Sequence, residues 1–380
     1  MISQTRGAMA PGLALRGVGA AAAQAYGAAM AWTEPQFTRQ EVDRAGRVFA
    51  GREAGDPEAA LRVIGNWRTS HAFPLNTFQM GMRTRSRTLD PTALVAQRVK
   101  RLSSIRDKLE RYPTMELSQM QDIGGCRAVV KDVETVMRVR DLCLRSRSRH
   151  RLHKQNDYVA EPKASGYRSI HLVYRYASDR KDTYNGLLIE VQIRSQLQHA
   201  WATAVETVGT FLQQSLKASR GSDDWLRFFL LMGSAMAIRE GCPPAPGTPS
   251  GPDEVRAELQ LHAKSLDVAS KLSAYQATIH LLAVPEVRDA KYFLLELRPG
   301  EGQSRVHAFR ERQLTQASDR YLEIERTLTG PGDEAVLVSV DSIDALRRAY
   351  PNYFLDTRVF LDALSTAITE RRRGPRAGRS

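Results

Sequence analysis

Two short segments on either side of a turn constrain the fold of this 380-residue chain more than any other feature. Residues 169–176 alternate Ile170, Leu172 and Tyr174 with His171, Val173 and Arg175, the period of two expected of a half-buried strand. Residues 187–193 form a second apolar run, interrupted by one carboxylate, Glu190, between Ile189 and Val191. Tyr184-Asn185-Gly186 separates the two and is a good hairpin signal. A lone Glu inside such a strand needs a reason, and an outward-facing carboxylate is the structural alternative to a functional one.

The rest of the chain predicts a mixed α/β (α+β) architecture. Helices are expected over 38–80, where Thr38 and Glu41 have the spacing of a capping box. Residues 92–111 read as an amphipathic helical region with a basic face that carries Arg98, Lys100, Arg101, Ser104 and Lys108. Gly124 and Gly125 precede a strand at 126–130, and helices follow at 133–144, 196–216 and 225–238. A Pro- and Gly-rich stretch at 241–252 reads as a linker, and one helix is expected over 253–282. Short strands at 292–297, 305–309 and 335–340 then mix with helices at 313–328 and 342–350. The predicted organisation is an extension at 1–31 (disordered, or upstream of the working start), a larger domain at 32–245 and a connection at 246–284. A small α+β domain at 285–367 and a basic tail at 368–380 complete it.

Lys and Arg number 55 against 42 Asp and Glu, a net charge of +13, which suits a polyanionic partner such as nucleic acid. Arg83, Arg85 and Arg87 alternate, as do Arg145, Arg147, Arg149 and Arg151. On an extended segment such alternation lines guanidinium groups along one edge, either for phosphate contacts or as a charged guard on an edge strand. The 3 cysteines form no Cys-x-x-Cys pair, so neither a disulfide framework nor a zinc ribbon is indicated and a reducing cytoplasm fits. No apolar run reaches the roughly 18–20 residues of a membrane span, so no membrane partner is expected.

The elements Arg98-x-Lys100, Ser104-x-x-x-Lys108, Asp122-x-x-x-x-Arg127, Lys163-x-x-Gly166-Tyr167-x-Ser169-x-His171 and Glu190-x-Gln192-x-Arg194 occur in that order. Together they resemble the synthetase domain of the RelA/SpoT alarmone enzymes over about residues 60–215. The resemblance implies a nucleotidyltransferase-like mixed sheet flanked by helices, and transfer of pyrophosphate from ATP to a hydroxyl with Mg²⁺ as cofactor. By it, Arg98 and Arg127 would sandwich adenine, and Lys100, Ser104 and Lys108 would hold the phosphates. Asp122 and Glu190 would ligate Mg²⁺, Glu190 also serving as base. Tyr167 would stack on the acceptor base, and Lys163, His171, Gln192 and Arg194 would complete the pocket; a purely structural strand histidine is the alternative for His171.

The chain lacks the His-Asp dipeptide of the family's hydrolase domain. It is most similar to the CapRel-type fused toxin–antitoxin members, which modify the 3′ hydroxyl of the tRNA CCA end. That likeness implies a C-terminal pseudo-zinc-finger-like antitoxin domain, a trigger such as a phage capsid protein, and Tyr350-x-x-Tyr353 blocking the ATP pocket through an intramolecular contact. The alternatives are an alarmone synthetase acting on GDP, GTP or adenine nucleotides, and a catalytically silent RNA-binding or sensor module.

Overall fold

The computed structural model describes residues 32–212, 222–278, 280–281, 289–328, 330, 333–340, 342–354 and 356–369. The expected 1–31 extension lies outside the described residues, as do positions 370–380 of the expected tail. The chain from Thr33 onward forms one compact unit.

Three helices open it: α1 (Arg39–Phe49), α2 (Pro57–Ser70) and α3 (Ala72–Leu89). The capping box is present, with Glu41 N donating to Thr38 Oγ1 at 3.3 Å and Thr38 N to Glu41 Oε2 at 2.7 Å. Next come β1 (Leu94–Val99) and α4 (Leu102–Arg111). The expected single helix over 92–111 is therefore a strand and a helix. Leu94, Val95, Ala96 and Gln97 are all buried, because β1 has a strand on each side and cover on both faces. Arg98 thus lies on a strand and Lys100 at its exit, so the basic residues do not form one helical stripe.

β2 (Gly124–Val130), α5 (Val133–Leu144), β3 (Arg151–Asp157), β4 (Ile170–Arg175), β5 (Leu188–Ser195) and α6 (Gln196–Phe211) follow. β4 is buried on both faces along most of its length rather than half-buried. Then come α7 (Asp223–Arg239), α8 (Pro252–Ser265) and α9 (Val268–Thr278). The helix expected over 253–282 is broken at Asp267, whose φ of 48° is left-handed. The remaining elements are β6 (His280–Leu281), β7 (Ala290–Arg298), β8 (Gln303–Arg310), α10 (Leu314–Thr327), β9 (Glu334–Ser339), α11 (Ile343–Ala349) and α12 (Arg358–Thr369).

Among the described residues, nine strands form one mixed sheet in the order β3-β4-β5-β2-β1-β9-β7-β8-β6. The join is antiparallel pairing of β1 with β9, Gln97 opposite Ser339 and Arg98 opposite Val338. Gln79 of α3 ties it down, its Nε2 donating to Ser339 O at 2.8 Å. The apolar core crosses the join as well: Leu94, Ala96 and Val129 pack in one cluster with Leu295, Val338, Leu346 and Tyr350. α10 covers the other side of β7 and β9 through Ala317, Tyr321 and Ile324. α12 packs its Phe360 and Leu364 into the helical core of Trp201, Trp225 and Phe228. The region expected as a separate domain at 285–367 therefore shares both sheet and core with the residues before it. Among the described residues, no helix is long and apolar enough to cross a membrane.

This sharing is testable because all 4 tryptophans (Trp32, Trp67, Trp201 and Trp225) precede residue 285. Leu346 is 0% exposed, so Leu346→Ala should cost about 2–5 kcal/mol. The loss should lower the denaturant midpoint read by tryptophan fluorescence; an unshifted midpoint would mean that the C-terminal region unfolds by itself.

Candidate active site

Strand register brings the predicted residues together. Glu190, Gln192 and Arg194 are spaced by two along β5 and so share one face. His171 of β4 stands opposite Gln192. On the other side, Gly125 and Arg127 of β2 stand beside Glu190 and Gln192. Arg98 of β1 stands opposite Gly125. One face of the sheet thus carries His171, Glu190, Gln192, Arg194, Arg127 and Arg98. Gly125 leaves open floor between Glu190 and Arg98, since a Cβ there would meet nothing nearer than Arg98 O at 3.8 Å.

The β4–β5 side closes into a ring of hydrogen bonds. His171 Nδ1 lies 2.8 Å from Glu190 Oε1, and Gln192 Nε2 donates to Glu190 Oε2 at 2.6 Å. Arg194 Nη2 donates to Gln192 Oε1 at 2.9 Å and to Tyr167 Oη at 2.7 Å. Tyr167 Oη and His171 Nε2 share a hydrogen at 2.7 Å and complete the circuit. Burial works against charge on His171, but Tyr167 and Glu190 together hold its pKa above the usual 6.5. Burial likewise opposes ionisation of Glu190, yet its hydrogen bond from His171 keeps the carboxyl below its ordinary 4.5. The pair is therefore stabilised as imidazolium and carboxylate.

Gly166 shapes the entry to this ring. Its φ is +88°, and a Cβ there would sit 3.0 Å from Phe229 O of α7, so glycine answers both the turn and the close approach. Gly233 of α7 reciprocates, since a Cβ there would meet Gly166 O at 2.7 Å. Tyr167 is 5% exposed, with the Lys163 and Arg194 cations each 5.2 Å from its ring centroid. A base stacking on Tyr167 would have to displace Lys163, which is itself exposed. Tyr158 was not predicted; its ring lies 4.5 Å from Lys163 Nζ and 5.2 Å from His171, with nothing in its sequence context to mark it.

At the other end of the floor, Asp122 lies just ahead of β2. Lys100 Nζ donates to its Oδ2 at 2.6 Å and Lys108 Nζ to its Oδ1 at 2.9 Å. Burial opposes ionisation of Asp122, but the two ammonium groups hold its pKa far below the usual 3.8. Burial also pulls Lys100 down from 10.5 while Asp122 pulls it back. The charged triad is the state that the geometry favours, because each donor points at a carboxylate oxygen. Ser104 and Lys108 lie one turn apart on α4.

Asp122 and Glu190 supply carboxylates of the kind that Mg²⁺ takes together with phosphate oxygens, and each of their oxygens already accepts a hydrogen bond from the chain. The negative charge of Asp122 works against ionisation of Glu190, but the bonds from His171 and Gln192 outweigh it. Among the described residues no group of three or more His, Cys, Asp and Glu could hold a metal, so the protein's share of such a site would be these two.

The C-terminal region lies over the arginines. Tyr350 and Tyr353 are 5% and 3% exposed. Arg127 sits 5.9 Å from the Tyr350 ring and reaches Ala349 O at 3.5 Å, while its Nε is buried without a partner. Burial pushes Arg127 down to about 10. Tyr350 Oη donates to Gln97 O at 3.3 Å, and Arg101 Nη1 to Tyr353 Oη at 3.4 Å. His199 of α6 bonds Arg348 O through Nε2 at 3.0 Å; burial takes its pKa to about 3, so it is neutral.

The predicted basic edges differ from one another. Arg83, Arg85 and Arg87 lie on α3, where a spacing of two turns successive side chains apart, so they form no extended edge. Arg85 is bound to Ser146 Oγ at 2.6 Å. Arg145, Arg147, Arg149 and Arg151 are all exposed, but only Arg151 is within β3. Arg149 and Arg151 line an open cleft of about 450 Å³ with Arg175 and Asp179, which includes none of the residues of the sheet face.

Comparison with known proteins bears on this geometry. Residues 97–209 match the family described as the region found in RelA / SpoT proteins. The GTP pyrophosphokinase YjbM of Bacillus subtilis (strain 168) is 38% identical over 115 residues, which is 30% of this chain and 54% of that protein. The GTP pyrophosphokinase YwaC of the same organism is 29% identical over 119 residues, 30% of this chain and 56% of that protein. The chain thus spans about half the length of these relatives. Among solved structures, small alarmone synthetase 1 from Bacillus subtilis, bound to its product pppGpp, gives a TM-score of 0.36 at 24% identity, covering 57% of this chain and 98% of that one. The matched residues 97–209 include Arg98, Asp122, Tyr167, His171 and Glu190, so this segment is similar to the region found in RelA / SpoT proteins.

Proposed function

We propose that this chain is an ATP-dependent pyrophosphotransferase of the RelA/SpoT type, held off by its own C-terminal region. The observation that carries the reading is the single sheet face on which arginines, an open glycine floor and the Glu190 ring lie side by side, with the Asp122–lysine triad at its end. In this reading Arg98 and Arg127 flank the adenine of ATP, and Lys100, Ser104 and Lys108 take its phosphates. Mg²⁺ held by Asp122 and Glu190 would neutralise charge on the transferring group. The acceptor hydroxyl attacks the β-phosphorus, the bond from that phosphorus to the α–β bridging oxygen breaks, and AMP leaves. Glu190 accepts the hydroxyl proton, and His171 and Gln192 hold both of its oxygens in position. In this reading Tyr350 and Tyr353 compete with the adenine for the arginines, and a trigger protein, such as a phage capsid component, would favour the state in which they are moved aside.

Two acceptors have support. The exposed arginines from Arg145 to Arg151 favour tRNA, modified at its CCA 3′ hydroxyl, because a folded RNA needs phosphate contacts beyond the pocket. The relatives named as GTP pyrophosphokinases favour GDP or GTP. With γ-labelled ATP and Mg²⁺, label on tRNA establishes the first and label on the free nucleotide the second. Label on neither, from a folded and opened chain, would overturn the transferase reading.

Asp122→Ala and Glu190→Ala should each lower transfer at least about 100-fold; near-full activity would remove the assigned roles. Removing the C-terminal region outright would uncover Leu94, Ala96 and Val129, so its restraint is better tested in the full chain. Tyr353→Ala should raise transfer and make expression toxic, and unchanged growth with intact protein present would argue against inhibition. The His171–Glu190 pair also predicts a pH signature. The raised pKa of His171 means that its stabilising contribution is complete below 6.5 and fades as pH rises through the folded value. An imidazole titration by NMR should place His171 above 6.5 in the native chain and lower in Glu190→Gln; equal midpoints would show that Glu190 does not hold the charge.

A further inference from the structure

α4 begins without a cap of its own. Arg101 stands at its N-cap and makes no side-chain capping bond, and the first turn contains no acidic residue. The leading amides of a helix need acceptors and sit at the positive end of its dipole. Leu102 N finds one far away in sequence, donating to Glu325 Oε1 of α10 at 2.9 Å. The same carboxylate takes two bonds from Arg68 of α2, Nη1 to Oε2 at 2.8 Å and Nη2 to Oε1 at 3.2 Å. Arg68 Nε donates to Lys100 O at 2.9 Å, so this guanidinium joins the exit of β1 to the C-terminal region. The pair is sealed, the Arg68 side chain being 2% and that of Glu325 5% exposed. Next to it, Glu334 of β9 forms an ion pair with Arg101.

We propose that Glu325 is an anion lock. Its carboxylate seats on Arg68 and the first amide of α4 as a phosphate group would, so docking of α10 and binding of a polyphosphate at the β1–α4 turn exclude one another. The inference rests on the reading above, in which this turn receives the phosphates of ATP, and it supplies the means of that site's regulation. Carboxylate and phosphate oxygens offer the same acceptors to an arginine fork and a helix amide. Withdrawing Glu325 alone would leave the Arg68 charge buried and unpaired, which makes spontaneous opening costly. A polyphosphate removes that obstacle because it brings a replacement anion, and a ligand shifts an equilibrium only through such differential contacts. Four cations around the turn share this arrangement: Arg68 is paired with Glu325, Arg101 with Glu334, and Lys100 and Lys108 with Asp122. The tyrosines cover the face where a base would lie, whereas Glu325 holds the groups that a phosphate chain would need.

The test is calorimetric titration of the full chain with inorganic tripolyphosphate. Glu325→Gln keeps the size of the side chain and removes its charge, and should bind tripolyphosphate at least about tenfold more tightly than the native chain. Glu58→Gln breaks only the exposed Arg326–Glu58 pair between the same two helices (3.3 Å) and should stay within twofold of native. Glu325→Gln affinity within twofold of native, or weaker, would overturn the proposal, as would an equal gain in Glu58→Gln. If Glu325→Gln does not fold, hydrogen exchange on the unmodified chain decides. Saturating tripolyphosphate should speed exchange across residues 314–327, and unchanged or slower exchange would overturn the lock. Neither readout uses an acceptor or turnover, so a failed transfer assay and a failed lock are distinguishable.

Discussion

The structure depends on the two edges of β1. One pairs with β2 and sets Arg98 beside Gly125, Glu190 and Arg127; the other pairs with β9 and brings the C-terminal region onto the same ground. β1 is short and buried on both faces, so neither pairing can slip without turning its apolar residues out of the core. A single strand therefore fixes both the candidate catalytic face and the cover that lies across it.

Charge is arranged to match. The face and the turn beyond it concentrate guanidinium and ammonium groups that suit a triphosphate, and in the closed chain carboxylates and aromatic rings from the same polypeptide occupy them. On the acceptor side, the Tyr167–His171–Glu190–Gln192–Arg194 ring is complete without any contribution from the C-terminal region. In the proposed reading, restraint would fall on the nucleotide side and leave the proton-accepting group preorganised.

Much of this was legible in the sequence where local rules govern. The capping box at Thr38, the turn before β5, and the alternation of Glu190, Gln192 and Arg194 follow from spacing alone. The β1 segment reads as helix because Leu94, Val95, Val99 and Leu102 with interleaved basic residues satisfy a helical period about as well as a buried strand. Arg83, Arg85 and Arg87 suggested an edge that a helix disperses. Arg68 and Glu325 left no trace, since their pairing spans 257 residues and each alone is an ordinary charged residue on an amphipathic helix. His150 lies between Arg149 and Arg151 in sequence, yet its ring packs between those of Phe78 and Tyr176, 4.6 and 4.9 Å away.

The central claim is that nucleotide and C-terminal region compete for the strand and turn around β1. Spin labels at Glu110→Cys on α4 and Arg320→Cys on α10, both exposed positions, would report the distance between them by pulsed electron resonance. Adding a non-hydrolysable ATP analogue with Mg²⁺ to the labelled full chain should replace the short closed distance with a longer, broader distribution. Saturated binding of the analogue with an unchanged closed distance would contradict the account.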